Sequence, residues 1–145
     1  MRIVLQRVRH GRVSVAGRTI AEIGAGVVIL LGIGSQDGDE QARYLVEKIT
    51  NLRILEDEAG KMNRSLLDTG GEALVVSQFT LFADMRKGRR PSFTDAAPPE
   101  IARPLVERFA DLLITQGVPT QMGEFGAHML VEIENDGPVT ILLER

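Results

Sequence analysis

Apolar and polar positions alternate from the first residues of the chain. Ile3, Leu5 and Arg7 share one face of an extended segment, and Val4, Gln6 and Val8 share the other. Turn signals follow near His10-Gly11 and Ala16-Gly17, so the first third reads as a meander of strands. Val27 to Ile33 is apolar on both faces, as a central strand covered on both sides must be. The period then changes. Asp37 as N-cap with Glu40 three residues on predicts a helix start. Ala42, Leu45, Val46, Ile49 and Leu52 supply one apolar stripe along that helix. Glu56 to Gly60 reads as a turn. The run from Ala73 to Leu81 predicts a strand with Gln78 and Thr80 on one face and Ser77 and Phe79 on the other.

Pro98-Pro99 opens a second helix running to about Gln116, with Gly117 just past its end. Its expected buried stripe is Ile101, Leu105, Phe109, Leu112 and Leu113, and Pro104 falls early in the helix, where a missing amide costs least. Two apolar runs, Met129 to Ile133 and Val139 to Leu143, flank Asn135-Asp136-Gly137-Pro138 and predict a hairpin. Proline cannot donate to a ladder, so the Gly-Pro step marks an edge, a bulge or a turn. With no linker, repeat or low-complexity stretch, residues 1–145 form one α+β domain of two main helices among roughly eight to ten antiparallel strands.

A chain of 145 residues buries ~68–70% of its unfolded surface, enough for a core without staples. The sequence contains no cysteine, which removes disulfides, thiolate nucleophiles and cysteine-based zinc sites together. No apolar run approaches the ~20 residues of a membrane span, and the charged, alternating N-terminus is unlike a signal peptide. A cytoplasmic protein without a membrane partner is the expectation. The net charge is −3, but Arg86-Lys87-Gly88-Arg89-Arg90 concentrates positive charge in one loop. Such a loop suits docking one phosphate-rich end; the alternative is a solvated loop.

The acid–base inventory is short. His10 and His128 are the only histidines, and both read as structural. Thr80 has no base near it in sequence, so a locally bonded hydroxyl competes with a direct role. Gln78 can neither take a proton nor attack, but it can bond a substrate carbonyl or hydroxyl. The carboxylates are scattered and the histidines stand apart, so neither metal nor other cofactor is expected. Five Phe, one Tyr and no Trp allow a single pocket for one base at most, and Gly126-Ala127 beside Phe125 suits such a pocket.

Seven stretches in order carry a family resemblance: residues 2–8, 48–54, 60–65, 77–81, 87–93, 125–129 and 135–140. Ser77-Gln78-Phe79-Thr80-Leu81 and Asn135-Asp136-Gly137-Pro138-Val139-Thr140 are the most specific. Together they resemble the D-aminoacyl-tRNA deacylase family; His10-Gly11, where a small residue such as alanine is usual, is a minor departure. The resemblance implies a barrel-like pair of antiparallel sheets closed by two helices. It implies hydrolysis of D-aminoacyl esters of tRNA, and of glycyl esters on alanine tRNA, assisted by the terminal ribose 2′-hydroxyl. Gln78, Phe79 and Thr80 would form the catalytic floor, with backbone amides near Phe79 and Thr80 holding the oxyanion. Ser77, Phe125 and Met129 would touch substrate. Gly137 and Pro138, joined by a cis bond, would enter the other subunit's site and reject L side chains. Lys87, Arg89 and Arg90 would meet the tRNA acceptor end, in a homodimer with interface active sites and no DNA partner. Two competitors are a non-catalytic module that binds RNA ends and a small-molecule esterase.

Overall fold

The computed structural model describes residues 1–86 and 88–145. In chain order the elements are β1 (Arg2–Val15), β2 (Arg18–Ile23), β3 (Gly26–Gly32), α1 (Asp39–Thr50), β4 (Leu55–Glu56) and β5 (Met62–Arg64). They continue with α2 (Leu66–Thr69), β6 (Glu72–Ser77), a 3-10 turn (Phe79–Phe82), α3 (Pro99–Thr115), β7 (Thr120–Met122) and β8 (Leu130–Glu144). β1 is the spine. Along one edge it pairs antiparallel with β3 and then β2, and along the other with β8. β6 joins β3, and β7 joins β6, in parallel. The antiparallel expectation therefore fails at these two pairings, since the chain returns to β6 and β7 through α1 and α3 rather than through tight turns.

The sheet curls until β7 approaches β2. There Gln121 spans the gap, accepting from the Glu22 amide at 3.1 Å and donating to the Glu22 carbonyl at 2.6 Å. The result is a nearly closed, barrel-like sheet beside the small β4–β5 ribbon.

Strand alternation divides the core in two. Val27, Ile29 and Leu31 of β3, with Ala73 and Val75 of β6, face α1 and α3. Val28 of β3, with Leu74 and Val76 of β6, faces inward with Val8, Val13 and Ile23. β3 is buried on both sides, as its unbroken apolar run predicts. The helical layer centres on Phe109, which is fully buried; a phenylalanine in such a place contributes ~3–5 kcal/mol. α3 runs from Pro99 through Thr115 with Gly117 beyond it at φ +93, as the sequence indicates. Its stripe is rotated, however: Ile101 is exposed, Leu105 is half-buried, and Ala102 and Val106 take the inward positions.

Three further expectations are corrected. The chain does not turn at His10-Gly11; β1 continues through it. A Cβ on Gly11 would stand 2.7 Å from Val28 Cγ2, so this glycine admits a neighbouring side chain rather than a turn. The N-cap of α1 is Gly38, whose amide donates to Gln41 Oε1 at 3.0 Å. Asp37 is committed elsewhere, accepting from the Met1 ammonium at 2.5 Å and the Gly34 amide at 2.6 Å. The C-terminal segment is no hairpin. It is one strand, β8, paired with β1 on both sides of an interruption. Between Gln6↔Thr140 and Val8↔Asn135, β1 has one intervening residue and β8 has four, Asp136 to Val139. Those four form a large bulge.

Candidate active site

β6 ends at Ser77, so the predicted strand to Leu81 stops four residues early. Gln78 N still donates to Leu31 O at 2.8 Å, and the chain then winds into the 3-10 turn. Two glycines across the sheet make room for that turn. A Cβ on Gly32 would lie 3.0 Å from Gln78 O and 3.1 Å from Leu81 Cβ; one on Gly34 would lie 2.9 Å from the Phe82 ring. Phe82 plugs the turn from below, with the Arg2 guanidinium 4.6 Å from its centroid.

The turn leaves two donors unengaged. Leu81 N returns to Gln78 O and Ala83 N to Thr80 O, and the first two amides of such a turn, Phe79 and Thr80, have no partner within it. Among the described residues no other protein acceptor takes them. The Gln78 amide donates to Thr80 Oγ1, so the two side chains meet through the turn and not by strand alternation. Among the described residues no histidine or carboxylate bonds the Thr80 hydroxyl.

Over this turn opens a cavity of about 610 Å³. Ser77, Gln78 and Phe79 form one side, Phe125, Gly126, Ala127, His128 and Met129 another. Ala97, Pro98, Pro99, Ala102 and Val106, at the start of α3, form a third. Phe93 meets Phe79 edge to face at 5.0 Å, while Phe79 keeps more than half its surface exposed at 58%. The structure thus brings together Ser77, Gln78, Phe79, Phe125 and Met129, with Thr80 bonded at the edge. His128 also lines the cavity, although the sequence reading gave it a structural place. The α3 wall escapes that reading as well, because Ala and Pro signal only a helix start. No group of histidines and carboxylates able to hold a metal occurs among the described residues.

Gly137 and Pro138 do not line this cavity. They sit, exposed, at the tip of the β8 bulge, and their bond is cis. Each residue around them has a definite task. The Asn135 side chain takes over the missing ladder, accepting from Val139 N at 2.8 Å and donating to Val139 O at 3.2 Å. Thr140 Oγ1 accepts from Gln6 Nε2 at 3.1 Å. Arg7, only 4% exposed, donates from Nε to Asp136 O and from Nη1 to Ile54 O, both at 2.8 Å, and reaches Glu56 at 3.3 Å. A buried guanidinium with its donors used this way is a clamp. Gly137 holds φ +142, and a Cβ there would meet Val139 N at 2.9 Å and Arg7 Nη2 at 3.2 Å. In the sequence Arg7 carries no signal of this role, being only one polar residue in an alternating strand.

The basic loop divides. Asp84 takes Arg86 with both oxygens, Oδ2 accepting from Nη2 at 2.7 Å and Oδ1 from Nε at 2.9 Å, and Oδ1 also accepts from the Arg86 amide at 2.9 Å. The Arg86 guanidinium holds the Asp84 carboxyl down at about 2. Arg89 and Arg90 are exposed, and Lys87 lies outside the described residues.

A curled α+β sheet carrying a cavity of about 610 Å³ beside two free amides has the arrangement that an ester hydrolase requires. The chain belongs to the D-Tyr-tRNA(Tyr) deacylase family, hydrolases of carboxylic esters, whose model matches residues 4–144. A D-aminoacyl-tRNA deacylase of Thermomicrobium roseum is 60% identical over 144 residues, covering 99% of this chain and 94% of that one. Another, of Roseiflexus castenholzii, is 61% identical over 99% and 92%. Among solved structures, one described as c-Myc DNA Unwinding Element Binding Protein superposes with a TM-score of 0.94 at 44% identity, covering 100% and 99%. One described as a probable eukaryotic D-amino acid tRNA deacylase shares the fold, with a TM-score of 0.85 at 20% identity over 98% and 97%.

Proposed function

We propose that this protein hydrolyses the ester joining a D-aminoacyl group to the terminal ribose of tRNA, in the cytoplasm, and that the RNA takes part in the chemistry. The observation that carries the reading is the pair of free amides at Phe79 and Thr80 beside a cavity with no general base on Thr80. Preorganised amides suit an oxyanion developing on the ester carbonyl. Water bonds to the carbonyl carbon, the bond to the ribose oxygen breaks, and that oxygen takes the proton water loses. The vicinal 2′-hydroxyl relays it. Gln78 and Ser77 orient the ester, Phe125 and Met129 hold the terminal nucleoside, and Arg89, Arg90 and Lys87 meet phosphates of the acceptor end.

Chirality is read by exclusion. Gly137 and Pro138 stand exposed on a clamped bulge outside their own cavity, which favours their entering the site of a second copy in a homodimer. Main-chain carbonyls there would crowd an L side chain and ignore which side chain a D residue carries. Glycine has no side chain to exclude, so glycyl esters on alanine tRNA pass too. Incubation with D- and L-tyrosyl-tRNA tests the whole reading. Cleavage of the D ester alone supports it. Cleavage of neither leaves an RNA-end binder, and indifference to chirality or RNA leaves a general esterase.

A further inference from the structure

Several surface arginines, among them Arg2, Arg12, Arg64, Arg86 and Arg108, are paired with carboxylates. Arg103 differs. It is exposed on α3, and its guanidinium lies 4.9 Å from the centroid of the Phe125 ring. Glu100 and Glu107 stand three residues before it and four after it on the same helix, yet neither pairs with it among the described residues. Phe125 is a wall of the cavity; Arg103 is not itself part of the lining and stands against that wall. Its positive charge is therefore held beside a residue of the cavity wall, by a contact with the ring that uses none of its N–H groups.

We propose that Arg103 binds the 5′-phosphate of the terminal nucleotide, on the α3 side of the cavity, and so sets how deeply that nucleotide seats. The proposal rests on the reading of the cavity as an aminoacyl-nucleoside site. An ester held at the Phe79 and Thr80 amides, with its base beside Phe125, must lead its phosphate out past the rim. A planar guanidinium matches a phosphate with two parallel donors. On a chain of net charge −3, an unpaired cation beside the cavity is a selective feature rather than part of a general basic coat.

The test is direct binding of adenosine 5′-monophosphate and of adenosine by calorimetry, at low and at moderate salt, to the wild type, Arg103→Ala, Arg103→Gln and Arg103→Lys. We expect the wild type to prefer the monophosphate by about fivefold, less at higher salt. Arg103→Ala and Arg103→Gln should abolish that preference while adenosine binding holds, and Arg103→Lys should restore part of it. For D-tyrosyl-tRNA, KM should rise with kcat nearly unchanged. Equal loss for both nucleosides in Arg103→Ala would show that the side chain acts only by packing Phe125. An undiminished preference in that variant would overturn the assignment too. Failure of the wild type to cleave D-tyrosyl-tRNA would sink the deacylase reading, while the nucleoside preference still judges Arg103 by itself.

Discussion

The 3-10 turn at Phe79–Phe82 and the bulge at Asp136–Val139 are both short departures from a strand, built by opposite means. The turn rests on absent atoms: Gly32 and Gly34 lack the Cβ that would push it off the sheet, and Phe82 fills the space below. The bulge rests on polar bonds, with Asn135 replacing the ladder and a buried Arg7 gripping Asp136. A floor must hold two amides still, and close packing does that in a single chain. A projection that stays exposed has no packing to rely on, so directional bonds from a buried anchor hold its shape.

The sharpest way to break the contrast is Arg7→Ala. It strands the Ile54 and Asp136 carbonyls and opens a buried space, so we expect a loss of about 3 kcal/mol in urea unfolding. Activity on D-tyrosyl-tRNA should collapse with it, and Arg7→Lys should recover only part of the stability. A stable, fully active Arg7→Ala would mean the bulge holds its own shape.

Gly34→Ala attacks the other region. Its new Cβ meets the Phe82 ring at 2.9 Å and Asp37 Oδ2 at 3.2 Å, so the turn must lift. Overpacking of this kind costs ~1–3 kcal/mol. The displaced amides should lower kcat more than they alter KM, in steady-state assays on D-tyrosyl-tRNA.

Thr80→Ala sharpens the chemistry of the floor. With no base on its hydroxyl, its loss should cost less than about tenfold in kcat, whereas a 2′-deoxy terminal ribose should cost ~100-fold or more. The reverse ranking would move the chemistry from the RNA to the protein.

The smallest effect is on pH. Asp84 has its carboxyl depressed from 3.8 to about 2 by Arg86, so the order this pair gives the loop is fully present above pH ~4 and is lost as pH falls through about 2. Carboxyl chemical shifts should show that midpoint. A titration of Asp84 near its ordinary value would show the pair to be open in solution.

Alternation within one segment was legible: the two faces of β1, the two-sided burial of β3 and the span of α3 follow from the sequence. What misled was pairing between distant segments. Asn135 to Pro138 has the composition of a turn, yet β1 offers a longer partner than the chain beyond it, so the segment stays in one strand and bulges. Phe79, Thr80 and Leu81 have strand-forming character, but the glycines that admit a turn there lie on β3 and beyond it. The motif alone draws attention to Gln78, Phe79 and Thr80, and the first two line the cavity. Arg7 and the α3 wall carry no local signal, because burial and small size become meaningful only once the sheet has curled.

The bridge between β7 and β2 has one more consequence. Between β1 and β3 the rungs repeat between backbones; here one primary amide, Gln121, supplies both bonds to Glu22. A seam closed by a single side chain can part without dismantling either strand, at the cost of two hydrogen bonds and one rotamer. The barrel thus has a built-in suture. Deuterium should enter at the Glu22 amide well before it reaches the β1–β3 rungs, reporting a breathing motion on the flank away from the β8 bulge.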